Sequence, residues 1–82
     1  MAQSTVLVKL ADLQKSDQAR IIGYEHSDDV ALHRLLTLGL TKDEIVTVKQ
    51  VAPMGDPVKV GVRGFNLSLR KDEAQALILT KI

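Results

Sequence analysis

The sequence predicts a mainly β fold: a small, partly open β-barrel of five or six short strands, with one α-helix inserted before the third strand and a short helical turn before the last. Three observations predict it. Residues 58–62 and 65–69 alternate apolar and polar side chains in strict period two, the mark of half-buried antiparallel strands. Only residues 28–38 carry a long run of apolar side chains at helical spacing. The chain has 82 residues, 45% of them apolar, enough for one hydrophobic core and too few for two. Residues 1–82 are therefore read as one domain, and closure into a barrel manages sheet edges in a chain too short for a sandwich.

The first strand is expected within residues 5–10, where Val6, Leu7 and Val8 are adjacent, with Leu13 tucked in after it. Lys15, Ser16 and Asp17 form a turn signal before a second strand over residues 18–24, in which Gly23 marks a bulge or tight bend. Ser27 followed by Asp28 and Asp29 starts a helix, since the hydroxyl caps a free N–H and the carboxylates face the positive end of the dipole. Gly39 ends it as a left-handed residue, and Leu40 supplies the hydrophobic contact that follows such an ending. Around this helix Ala31, Leu32, Leu35, Leu36 and Leu38 share one arc, with Asp29, His33, Arg34 and Thr37 opposite. The apolar arc is wider than a single core-facing stripe requires, which leaves one edge for a partner. After the turn at residues 41–44 a third strand covers 45–51. The loop Pro53-Met54-Gly55-Asp56-Pro57 reverses the chain into the fourth strand, Arg63-Gly64 makes the next hairpin, residues 71–76 form a helical turn, and residues 77–82 are the last strand. Such a barrel is SH3-like.

Composition narrows the function. There is no cysteine, so disulfides, thiolate nucleophiles and Cys-based zinc sites are excluded. Eleven Lys and Arg against ten Asp and Glu leave a net charge of +1, with no general field for nucleic acid or an anionic membrane. Tyr24 and Phe65 are the only aromatic residues, too few for a base-stacking platform or a proline-peptide groove. The basic residues Lys59, Arg63, Arg70 and Lys71 line the second hairpin but read as an ordinary charged strand face beside Asp56, Asp72 and Glu73. Neither a signal peptide nor a membrane-spanning run is expected, and no nucleophile elbow or phosphate loop is present, so the chain is expected not to be an enzyme. No cofactor is expected. The one candidate is a weakly held divalent metal at His26, Asp29 and His33, whose spacings of three and four place them on one helix face. The same three residues equally describe a solvated surface.

Several motifs in order carry a resemblance: Leu35 and Leu36 leading into Leu38-Gly39-Leu40, the loop Ala52-Pro53-Met54-Gly55-Asp56-Pro57, and Leu69-Arg70 entering the helical turn at Glu73-Ala74. With these the chain resembles the ferrous iron transport protein A (FeoA) family over nearly its whole length. It departs from the family pattern after the Leu-Gly-Leu turn, where Lys42-Asp43 stand in place of Pro-Gly, a change that touches the turn type. The resemblance implies an SH3-like barrel and a non-enzymatic, cytoplasmic accessory protein of bacterial ferrous iron uptake, reaching the membrane only through its partner. That partner is the ferrous iron permease (ferrous iron transport protein B) with its GTP-binding domain. The resemblance also extends to barrels at the C-terminus of metal-dependent repressors, and a divalent-metal-binding regulatory domain is the alternative function. Recognition is expected through aliphatic surface, since Val, Leu and Ile supply 26 of the 82 residues. The expected partner-binding residues are Leu36, Leu38 and Leu40 at the helix exit, with Pro53, Met54, Gly55 and Asp56 of the hairpin loop. A second copy of the chain is a further candidate partner, and Arg34, Arg63 or Arg70 would be called on if the chain stimulated GTP hydrolysis.

Overall fold

The computed structural model describes residues 6–25 and 29–82. Within them the order is β1 (Leu7–Val8), a 3-10 turn (Leu10–Asp12), β2 (Gln18–Tyr24), α1 (Asp29–Thr37), β3 (Ile45–Val51), β4 (Val58–Val62), β5 (Phe65–Leu69), α2 (Lys71–Ala74) and β6 (Leu77–Lys81). All six strands join one antiparallel sheet in the order β1-β6-β2-β3-β4-β5. The mainly β class, the helix before the third strand and the helical turn before the last are those the sequence predicts. The edge strands β1 and β5 do not pair with each other, so the barrel is not closed.

Local hydrogen bonding explains where elements fall short of their predicted spans. The first strand covers two residues because the Lys9 N–H donates to the Asp12 carboxylate (3.0 Å) and the Asp12 N–H to the Lys9 carbonyl (2.9 Å). That closed turn competes with the ladder, and it puts Leu10 and Leu13 in the core. The α1 exit follows its predicted ending in detail. Gly39 takes φ +93°, its N–H donates to the Leu36 carbonyl and the Leu40 N–H to the Leu35 carbonyl, each at 3.1 Å, while Leu35 and Leu40 are both fully buried. This is the paired-bond, left-handed helix ending in which an apolar residue after the glycine returns to the core. Between Val62 and Phe65 the two loop residues Arg63 (φ +54°) and Gly64 (φ +87°) are both left-handed, as a two-residue turn matched to strand twist requires.

Two bulges bend the sheet. One falls between Ile21 and Gly23 in β2 against β6, at the predicted glycine. The other, between Val48 and Gln50, makes Lys49 the extra residue of β3 against β4. The core sits on the inner face, with Ala19, Ile21, Val46, Val48, Val58, Val60, Val62, Leu69, Leu77 and Leu79 from the strands, covered by Leu10, Leu13, Leu35 and Leu40. No polar or charged residue is buried among the described residues.

Candidate docking surface

Of the predicted recognition residues, the structure keeps some at the surface and takes others away. Leu40 is fully buried, held by the helix-ending bonds above, and its carbonyl accepts a hydrogen bond from the Tyr24 hydroxyl. It is a core residue, which corrects its place in the recognition set. Burial of Tyr24 raises the pKa of that hydroxyl, in keeping with a donor role. Leu38 is half-buried against the core, and Leu32 and Ala31 are half-buried on either side of Leu35. Leu36 is 42% exposed and forms the free edge of the apolar arc with Leu32, one turn earlier. Val30, which belongs to neither predicted arc, is 80% exposed on the polar side of α1. Its neighbours are polar, so no periodicity marks it.

The hairpin loop presents Met54 at 91% exposure, with Pro53 and Gly55 also exposed. The Gly55 N–H bonds to the Ala52 carbonyl (2.7 Å) at φ +84°, which a side chain would resist. Asp56 is not a free recognition group. Its Oδ1 accepts the Lys71 backbone N–H at 2.9 Å and so satisfies one of the open donors that begin α2. The cap comes from fifteen residues away, and only the fold brings it there.

α2 is also tied to α1, because Arg34 pairs with the Glu73 carboxylate. The Arg70 backbone N–H donates to Glu73 (3.0 Å), and this bond, foremost, then Arg34, hold the Glu73 carboxyl below its ordinary pKa despite partial burial. α2 thus stands between the loop, through Asp56, and α1, through Arg34. On the helix wheel Leu36 lies about 200° from Arg34, so the Leu36 edge turns away from α2 and from the hairpin. The predicted recognition residues therefore divide into two separate patches.

Of the metal candidates, His26 lies outside the described residues, while Asp29 and His33 are both exposed, one turn apart on α1. Among the described residues no group of three His, Asp or Glu is placed to hold a metal ion. Of the three arginines, Arg34 is engaged with Glu73 and Arg63 with Glu44 (3.5 Å), and Arg70 is exposed.

Against known proteins, residues 8–81 match the model of the FeoA domain family. The chain belongs to the FeoA family. A relative from Porphyromonas gingivalis, an Fe(2+) transport protein A/Fe(2+) transporter FeoB fusion protein, is 36% identical over 67 residues, which is 82% of this chain and 8% of that protein. The chain therefore spans a small fraction of that relative's length. The solution structure of iron(II) transport protein A from Clostridium thermocellum superposes with a TM-score of 0.83 at 32% identity, over 92% of this chain and 46% of that one. A manganese-dependent transcriptional repressor shares the fold at a TM-score of 0.87 and 15% identity, covering 98% of this chain and 44% of the repressor. The FeoA motifs take on physical meaning in this light. Leu38-Gly39-Leu40 is the helix ending that seats Leu40 in the core. Where this FeoA chain has Lys42-Asp43, Asp43 adopts φ +74°, so the turn keeps a left-handed residue without a glycine. No described helix is long and apolar enough to cross a membrane.

Proposed function

We propose that this chain is a non-enzymatic, cytoplasmic accessory protein of bacterial ferrous iron uptake that acts by binding the Fe(II) permease FeoB. The observation that carries the reading is the relative in which an Fe(2+) transport protein A and the transporter FeoB are one polypeptide. Fusion holds two modules at high effective concentration, which is useful when they work in contact. The surface chemistry supports a protein partner: the exposed apolar edge of α1 at Leu36 and the exposed Met54 tip are aliphatic, adaptable side chains suited to a protein groove. The Leu36 edge is the primary contact and the Met54 loop a separate second one. Binding changes transport by the difference in affinity for two states of the permease.

The test is titration of detergent-solubilised FeoB with labelled chain, read by fluorescence anisotropy, with GTP hydrolysis followed in the same samples. Wild type is expected to bind, and Leu36→Gln, still folded by circular dichroism, to bind at least about tenfold more weakly. Absence of wild-type binding overturns the partner. A folded Leu36→Gln that binds normally overturns the docking edge, and GTP hydrolysis that depends on Arg70 overturns the non-catalytic role.

A further inference from the structure

We propose that the outer face of the sheet, at the β4–β5 turn and away from α2, carries a second binding site: a cationic groove that takes an acidic, aliphatic-bearing peptide segment of a partner protein. It does not depend on the FeoB reading.

The charge distribution is the first observation. Among the described residues no Asp or Glu lies in a strand, whereas Arg20, Lys49, Lys59 and Lys81 do. Four of the eleven Lys and Arg thus lie in the sheet, while every described acid lies in a loop or helix. The second is the Lys49 bulge. Lys49 has no partner of its own on β4, and its side chain runs over Gly61, the partner of Thr47, where a Cβ would stand 2.6 Å from Lys49 Cε and 3.2 Å from Asn66 Oδ1. The stem of Lys49 therefore lies over bare backbone, a path that any side chain at 61 would obstruct. No described carboxylate pairs with Lys49.

The third observation is the groove itself, of about 310 Å³, bordered by Ile45, Lys49, Gly61, Arg63, Phe65 and Asn66. Ile45, 41% exposed, supplies apolar contact on the outer face, and Phe65, 51% exposed, closes the end of the groove at the turn, its ring reaching toward Gly39. On a further wall the Gln18 amide donates to the Thr47 hydroxyl at 3.1 Å. No acid lines the groove, and Arg63 pairs with the Glu44 carboxylate at 3.5 Å, an example of the group to which this guanidinium donates. Two cations of different geometry, Lys as a point charge and Arg as a fork, bordering two apolar side chains fit carboxylates interleaved with aliphatic residues. Nucleic acid is disfavoured, since a single ring offers no stacking series. The volume sits at the small end of ligand sites and accommodates a few side chains of a longer segment.

The probe is the capped peptide acetyl-Glu-Leu-Asp-Glu-Leu-Glu-amide, titrated into 15N-labelled full-length chain at low salt, beside a control with lysine at every acidic position and beside inorganic phosphate. Shifts are expected to concentrate at Thr47, Lys49, Gly61, Arg63 and Asn66, and the lysine peptide to cause none. Lys49→Glu with Arg63→Glu is expected to weaken binding at least about tenfold. Gly61→Ala, which displaces Lys49 without altering charge, is expected to weaken it severalfold while leaving the amide spectrum of the core unchanged. Shifts scattered over Lys9, Lys15 and Lys42, an affinity indifferent to the double charge reversal, or phosphate reproducing the same shifts at equal affinity would each overturn the site.

Discussion

At Asp43 the backbone carries a φ of +74°, a conformation that costs an L-residue roughly 1 kcal/mol and glycine little. Asp43→Gly is therefore expected to stabilise the chain, by no more than about 0.5 kcal/mol once glycine's added chain entropy of roughly 0.5–1 kcal/mol is counted, as a slightly higher urea midpoint at unchanged slope. An unchanged or lower midpoint would mean that the aspartate carries its own compensation. Residue-scale features of this kind are legible in sequence when one residue determines them. Gly39 announces a helix ending because few residues other than glycine serve at φ +93°, whereas Gly23 marks its bulge without being required there, since a Cβ would meet nothing within 4 Å. Lys49 is the counter-example: its bulge arises from how β3 meets β4, and the local signal is only a glycine, Gly61, in an otherwise regular alternation.

Elements depend on partners distant in sequence, and α2 shows how. Four residues do not hold a helix alone, so α2 leans on Asp56 for its first turn and on Arg34 for its acid. Asp56→Ala is expected to cost about 1 kcal/mol in chemical denaturation, the usual worth of a helix cap. Glu73 adds a pH dependence whose sign follows from its lowered folded pKa. Its contribution is fully present above the ordinary Glu value of about 4.3 and is lost as the pH falls through the lower folded value. The difference in melting temperature between wild type and Glu73→Gln is thus expected to be largest near neutrality and to shrink with acid. A gap that stays constant down to about pH 2 would remove the ionised carboxylate as its cause. None of this is visible in the local sequence, where Asp56 reads as a loop residue and Arg34 as solvent-facing. The α1 pattern, by contrast, is local and legible, down to the exposed edge at Leu36, while the burial of Leu40 follows from the same helix ending that the sequence announces.

For the whole molecule, the sheet leaves three features at different places: the Leu36 edge of α1, the Met54 loop beyond α2, and the cationic groove at the β4–β5 turn. The sequence predicts the first two as one surface, because a linear pattern cannot show that Arg34 turns the other flank of α1 toward α2. On the proposed function, a small chain that engages a large permease by one narrow edge gains limited affinity from it. In the fused relative the two modules are one polypeptide, and a short flexible tether holds two modules at an effective concentration on the order of 1 mM. The consequence is testable on the intact system. If Leu36 contributes only docking affinity, a folded Leu36→Gln chain that fails to support Fe(II) uptake when expressed free will regain most of it when joined to the cytoplasmic terminus of FeoB by a Gly/Ser linker. The measurement is uptake of radiolabelled Fe(II) by cells carrying the free or the tethered form at matched abundance. Rescue identifies weakened association as the defect. If the tethered variant remains inactive while tethered wild type is active, Leu36 acts after binding, and the docking-edge assignment falls.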